Sequence, residues 1–265
     1  MNNQNIFSDS FFAMGTRCDV VFPGVETRLA ERVFRVVKNE IENLEYRLSR
    51  FIPYSPVSEL NKTKKNKWTP VPDDLWNVIT VCYDFWQMSN GAFDITASPL
   101  INLWKSNENP TKEQVLKARQ ISGFDKIEFD FDNQEIKFLE DKIEFDFGAI
   151  GKGIALDSIK PMVLKAGIKN GIISFGESST LALGKHPNGK NWPLGIRNAF
   201  DLNEYVHVFS ASDETVTTSG TILNSDSGEV IHRNHIVSPA SGYPVEIRKN
   251  ISVKSHQSLQ NLTSL

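Results

Sequence analysis

The segment Gly148-Ala149-Ile150-Gly151-Lys152-Gly153 joins a run of alternating residues to the start of a helical pattern. Free amides and the positive end of a helix attract anions at such a place, small residues let a phosphate reach the backbone, and Lys152 adds a point charge. The spacing is not that of a Walker A loop, which needs four residues between its glycines and Ser or Thr after the lysine. The same segment also reads as a plain strand-to-helix turn, and both readings stay open on these residues alone. Asp146 is either a buried acceptor or the last polar residue of the alternating run. In Gly91-Ala92-Phe93-Asp94-Ile95-Thr96, Asp94 directly follows a helix stop, where it serves a ligand or caps the next helix in an Asx-type turn. His232 and His235 offer two imidazoles, but no neighbouring carboxylate or thiol completes a zinc set. His235 then enters IVSPASGYP, a short strand and turn from which it could lean over a ligand at a sheet end. Ser219 in TTSGT lacks the G-x-S-x-G elbow of a hydrolase nucleophile.

These residues need elements to hold them. Residues 16 to 22 read as a strand, broken by Gly24. Leu29, Val33, Val37, Ile41, Leu44 and Leu48 then recur every three or four residues, which predicts a helix of about five turns ending before Pro53. KTKKNK follows as a solvated basic loop. A second helix is expected after Pro72, capped by Asp73, with Leu75, Val78, Ile79, Cys82 and Phe85 inward and Asn90-Gly91 as its left-handed stop. The tract DKIEFDFDNQEIKFLEDKIEFDFG predicts a hairpin around Asp132-Asn133 followed by a third strand, with Ile127, Phe129, Ile136, Phe138, Ile143 and Phe145 inward. GIISFG, LALG, WPLGIR and VHVFS continue as strands. GKGIALDSIKPMVLKAG looks helical from Lys152 to Ala166, but Pro161 inside it costs ~3 kcal/mol, so a break is expected near Ser158 to Pro161.

The composition excludes other classes. The 265 residues are 40% hydrophobic and 23% charged, with 29 Lys+Arg against 32 Asp+Glu and a net charge of −3. Disordered chains, coiled coils and disulfide scaffolds do not look like this, and no basic patch marks a nucleic-acid partner. Cys18 and Cys82 lie far apart in apolar runs, as buried free thiols do. No export signal or apolar stretch of spanning length is present, so the chain as given is expected to be cytoplasmic, without a transmembrane segment. No repeat or linker marks a boundary, and one α/β domain is the economical reading.

Taken in order, Phe12-Ala13-Met14-Gly15-Thr16, LSRFIPYSPVSELN, GAFDIT..PL..LW, DFGAIGKGIALD, GIISFGESS, LGIR, VTTSG and HIVSPASGYP resemble the ApbE proteins, the FAD:protein FMN transferases, over roughly residues 11 to 255. The resemblance implies an α/β (α+β) domain of ApbE type spanning residues 1–265, with mixed, largely antiparallel sheets flanked by helices. It implies a bacterial enzyme, often periplasmic or membrane-anchored, that cleaves FAD, joins the FMN half to a Thr or Ser of an acceptor flavoprotein and releases AMP. Met14, Phe51, Ala92, Phe93, Asp94, Asp146, Lys152 and His235 would line the FAD site, with Lys152 and His235 serving the reaction. Ala149 would offer its carbonyl to Mg²⁺.

The sequence departs from the family where Glu177 replaces a second glycine, where Ser238-Pro239-Ala240-Ser241-Gly242 replaces Asp-Pro-x-Thr-Gly, and in TILNSDSG, which lacks the usual aromatic and basic residues. Asn261 and Leu265 stand at the Asp and Thr of the metal motif Asp-Ala-x-x-Thr, so the C-terminal metal motif is expected to be missing or degenerate and transfer slow. An FAD-binding relative without transferase activity and an FAD pyrophosphatase are the alternative readings.

Overall fold

The computed structural model describes residues 5–176, 178–198, 201, 203–220, 222–224, 230–232, 236–245 and 250–256, with the backbone alone at 222–224 and 230–232. In chain order the elements are β1 (Ile6–Ala13), β2 (Thr16–Pro23), α1 (Thr27–Leu48), α2 (Pro56–Leu60), β3 (Trp68–Pro70), α3 (Asp73–Met88), α4 (Ser98–Ser106), α5 (Lys112–Gln120), β4 (Ile127–Asp130), β5 (Glu135–Phe138), α6 (Gly151–Lys165), β6 (Gly171–Phe175), β7 (Ser179–Leu183), β8 (Trp192–Arg197), β9 (Tyr205–Ala211), β10 (Glu214–Gly220), β11 (Ile222–Asn224), β12 (Val230–His232) and β13 (Asn250–Ser255). They form two compact units. The first comprises Met1–Glu45, Ile150–Ile231 and Lys249–Leu265, the second Tyr46–Ala149 and His232–Arg248.

The first unit is built on a six-stranded sheet in the order β1-β2-β6-β7-β10-β13. Every neighbouring pair in it is antiparallel. The period-2 pattern of β2 turns Cys18, Val20 and Phe22 to one face, where they join Ile173, Phe175, Leu181 and Leu183. On this core α1 lays Ala30, Val33, Val37, Ile41 and Leu44, and α6 lays Ala155, Leu156, Ile159 and Val163. The α1 stripe is therefore the one the apolar spacing predicts, over 22 residues. Each large side chain so buried contributes about 1.5–3 kcal/mol. The β8 and β9 hairpin forms a separate two-stranded sheet, and β11 pairs with β12 in another.

The expected break at Pro161 does not occur: α6 runs unbroken from Gly151 to Lys165. Pro161 is exposed, while Leu156, Ile159 and Val163 are fully buried. The helix is also tied down beside the proline, because Ser158 Oγ donates to Glu40 Oε1 at 2.6 Å and Lys160 Nζ donates to the carbonyls of Asp213 and His256 at 2.8 and 3.1 Å. Burial and these tethers offset the lost backbone bond, which sequence rules price at ~3 kcal/mol.

The second unit holds the three-stranded sheet β3-β5-β4. Its β4–β5 hairpin turns where expected, with the Asp130 carboxylate accepting the amides of Asp132 and Asn133. The third strand expected after it does not form; β3 takes that place instead. Residues 143–147 stay extended and bury Ile143, Phe145 and Phe147, but their backbone is matched otherwise. The Asn61 side chain both donates to the Phe145 carbonyl and accepts its amide, at 3.0 and 2.9 Å, and the Asp146 amide donates to the Ile95 carbonyl at 2.7 Å. A side chain substitutes for a partner strand, so apolar alternation is kept without a ladder.

Asp73 does not cap α3: Pro72 occupies the cap position and Asp73 is the first helical residue. There it faces the positive helix end, which suits an acid equally well. Leu75, Ile79 and Cys82 are buried with Trp76, while Val78 and Phe85 are half-buried. Asn90 and Gly91 take φ of 51° and 79°, as a left-handed stop requires. Tyr83, Phe124 and Phe129 form the hub of an aromatic cluster. Both cysteines are free and buried. Burial pushes the Cys18 thiol up to about 12 and raises Cys82 as well, where the Asp94 charge adds to the effect. Among the described residues, no helix is long and apolar enough to cross a membrane.

Because Pro161 packs against nothing in the core, Pro161→Ala restores a backbone donor without losing burial. Urea denaturation should show a gain of about 1 to 3 kcal/mol. An unchanged or lower midpoint would mean that the proline is accommodated at no cost.

Candidate functional site

In the second unit the left-handed Asn90-Gly91 stop leads directly into the Ala92–Asp94 turn. Ala92 is exposed, and Phe93 is half-buried with its ring edge-on to Phe85. Asp94 makes the Asx turn, its Oδ1 accepting the Thr96 amide at 2.7 Å and the Thr96 hydroxyl at 2.6 Å. It does not cap the next helix, since α4 begins at Ser98 behind Ala97. Its second oxygen accepts the Phe124 amide at 3.2 Å, and Thr96 Oγ1 accepts the Gly123 amide at 2.5 Å. The carboxylate thus braces two loops. Burial raises its pKa, opposed by the hydrogen bonds from Thr96 and Phe124 and assisted by the charge of Asp125.

Asp146 is a half-buried acceptor engaged through both oxygens, not a loose strand end. Oδ2 accepts from Arg50 Nε at 2.9 Å and Oδ1 accepts the Gly148 amide at 2.9 Å. This fixes the start of the small-residue turn, whose Gly148 and Ala149 are exposed. Phe51 is 75% exposed, with the Arg50 guanidinium 4.3 Å from its ring centroid.

In the first unit Met14 and Gly15 connect β1 to β2 with φ of 52° and 71°. A non-glycine residue with positive φ is strained by roughly 1–2 kcal/mol, and such strain persists only where the surroundings enforce it. Glu45 does so: its Oε1 accepts the Met14 amide at 2.7 Å. At the start of α6, Ile150 is the cap residue and supplies no side-chain bond to the first amides. Among the described residues a Cβ at Gly151 would meet nothing within 4 Å, so there is open space beside that residue. Lys152 beside it is half-buried, and burial lowers its pKa. Among the described residues no carboxylate pairs with its ammonium. A desolvated cation on an uncapped helix start with open space beside it is the arrangement that binds a phosphate.

Lys152 and Met14 thus belong to the first unit, and Phe51, Ala92, Phe93, Asp94, Asp146 and Ala149 to the second. His235 lies outside the described residues, as do Glu177, Asn261 and Leu265.

The ApbE family model matches residues 14–261. The chain belongs to the ApbE family. Its relatives include the FAD:protein FMN transferase of Buchnera aphidicola subsp. Schizaphis graminum, 24% identical over 241 residues that cover 88% of this chain and 70% of the relative. That of Salmonella typhimurium is 23% identical over 243 residues, covering 88% and 69%. Among solved structures, the ApbE protein of Thermotoga maritima superposes with a TM-score of 0.84 at 21% identity, over 98% of this chain and 85% of that one. The flavin transferase ApbE of Vibrio cholerae gives 0.83 at 19% identity with the same coverage. The ApbE fold, mixed α/β with antiparallel sheets and flanking helices, is the one the motifs imply.

A magnesium site fits the described ApbE residues poorly. No group of three or more His, Cys, Asp and Glu side chains comes together among them. The carboxylate nearest in sequence to the Ala149 carbonyl, Asp146, already has both oxygens engaged. One neutral carbonyl is not the oxygen set that Mg²⁺ takes.

Three residues of this ApbE chain that sequence reasoning passed over are Arg50, Glu45 and Thr96. For Arg50 a signal existed. Glu144 and Asp146 share the face of an extended segment opposite Ile143, Phe145 and Phe147, and two carboxylates on one face call for a cation. Glu45 and Thr96 gave no such signal, because their bonds go to backbone amides of positive-φ or loop residues.

The burial of Lys152 sets its pH behaviour. With a folded pKa below the unfolded one, the unfolded chain binds more protons in the interval between them, so the group contributes stability that rises with pH there. Lys152→Met should remove this rise toward pH 10 and be at least as stable as the parent at neutral pH, as thermal melts across pH would show. A clear destabilisation by Lys152→Met would mean that the ammonium is satisfied within the fold.

Proposed function

We propose that this chain is an FAD:protein FMN transferase, which moves FMN from FAD to a Thr or Ser hydroxyl of an acceptor protein and releases AMP. The observation that carries the reading is Lys152, half-buried and, among the described residues, without a carboxylate partner at the uncapped start of α6. A diphosphate answers all three features. Its oxygens accept from the helix amides, its charge pairs with the ammonium, and the open space beside Gly151 admits it. Family membership and the names of the relatives give the diphosphate its identity as that of FAD.

In this reading Met14, Phe51, Ala92, Phe93, Asp94, Asp146, Lys152 and His235 contact FAD. The acceptor hydroxyl oxygen forms a bond to the FMN phosphorus as the bridging bond to AMP breaks, and the hydroxyl proton leaves to solvent or a base. Lys152 and the amides at the head of α6 stabilise the charge gathering on the phosphoryl and leaving oxygens. Asp94 and Asp146 hold the turns that present the backbone. The Ala149 carbonyl is the one oxygen this reading assigns to Mg²⁺.

The decisive assay follows covalent flavin on an acceptor bearing a flavinylation-type Thr by in-gel fluorescence, together with AMP. Equal amounts of flavin-labelled acceptor and AMP are expected. AMP without labelling would make the protein a pyrophosphatase, and FAD binding with neither product would make it a binding protein.

Two variants separate site from scaffold in the same system. Lys152→Ala should weaken FAD binding by about 1 to 3 kcal/mol through loss of a charged hydrogen bond. Gly151→Val should reduce FAD affinity more than stability, since a side chain there meets only the space the diphosphate would take. Equal losses for Gly151→Val in calorimetric titration and thermal melting would make the glycine structural.

A further inference from the structure

Arg50 is the most heavily engaged charged side chain beside the residues assigned to FAD, and the sequence motifs give it no role. Its side chain is 14% exposed. Nε meets Asp146 Oδ2 at 2.9 Å, Nη2 donates to Asn102 Oδ1 at 3.3 Å, and Nη1 lies 3.5 Å from Glu144 Oε2. The guanidinium plane covers the Phe51 ring at 4.3 Å. We propose that Arg50 is a positioning residue of the flavin site, fixing the Phe51 ring and the Asp146 carboxylate in one rigid frame.

Charge excludes the simpler idea that Arg50 itself receives the diphosphate. One guanidinium faces two carboxylates, which leaves a local charge of −1, with Nε and Nη2 donating to Asp146 and Asn102 and Nη1 ion-paired with Glu144. It therefore acts through what it holds. Phe51 needs a holder because an exposed ring otherwise samples several rotamers, and ordering it on binding would cost affinity. The backbone around it is already set, with the Phe51 amide donating to Ser49 Oγ at 3.2 Å and Ser55 Oγ donating to the Ser49 carbonyl at 2.5 Å. On its other side the guanidinium locks Asp146, whose second oxygen sets the Gly148 amide. One planar cation thus pre-orders an aromatic face and the entry to the small-residue turn. Lysine supplies the charge but neither the fork nor the stacking plane.

This inference rests on the transferase reading, and the test keeps the two apart. FAD dissociation constants are measured for the parent, Arg50→Gln, Arg50→Lys, Phe51→Ala and the double variant Arg50→Gln/Phe51→Ala, with the fold of each checked by circular dichroism. Arg50→Gln should weaken FAD binding by roughly tenfold, and Arg50→Lys should fail to restore it. In the Phe51→Ala background the same change should cost about threefold or less, because part of its effect runs through the ring. An unchanged dissociation constant in Arg50→Gln, full rescue by Arg50→Lys, or an equal cost in both backgrounds would overturn the proposal. If Arg50→Gln does not fold, Arg50→Lys decides alone, parent-like affinity counting against the role and weakened affinity for it. Failure of the parent to bind FAD would instead remove the transferase reading.

Discussion

A lysine ammonium half-withdrawn from water, with no carboxylate among the described residues to meet it, is a cost that folding alone does not repay. Lys152 is in that position because α6 must start there. The helix is committed by Ala155, Leu156, Ile159 and Val163, which sit in the largest core cluster, and those four residues fix the phase that places Lys152 one step inside the helix start. Moving the lysine away from the helix end would require giving up that burial. The charge and the free amides therefore converge on one point, and an anion that binds there offsets the cost of burying the charge.

Within the two units the same device recurs three times. Glu45 accepts the amide of Met14, Asp94 those of Thr96 and Phe124, and Asp146 that of Gly148. Each carboxylate holds a tight turn by its backbone, so residues with little side chain, Ala92, Gly148 and Ala149, stay in place without packing. Turns so held keep their remaining backbone groups exposed and pre-oriented, the property a site for a charged ligand needs. The cost appears as the strained φ of Met14 and the raised pKa of Asp94.

Much of this was legible from residue spacing. The α1 stripe, the β4–β5 hairpin, the four later strands and the left-handed stop at Asn90-Gly91 follow from apolar period and from glycine and asparagine at turns. The failures have a common cause. Pro161, the extended segment 143–147 and the cap of α3 were each judged on local rules, and tertiary contacts overrode them. Burial of one helix face outweighed a proline, and the Asn61 side chain replaced a neighbouring strand. Likewise Arg50 and Glu45 draw their meaning from partners 96 and 31 residues away in the chain, a separation that no window of local sequence spans. The residues of the small turn were recognisable because their chemistry is local: amides, glycines and one lysine in succession.

In the proposed transferase Lys152 pairs with the FAD diphosphate, and protons report that pairing directly. A burial-lowered lysine that gains an anionic partner rises in pKa, so binding must take up protons between neutrality and the ordinary lysine range near about 10.4. Calorimetric titration of FAD into the protein in pairs of buffers with different ionisation enthalpies, stepped across that range, measures the number taken up. Proton uptake that grows with pH in the parent and vanishes in Lys152→Ala is the result expected. FAD binding with no uptake, or with the same uptake in both proteins, would contradict the assignment of Lys152 to the diphosphate.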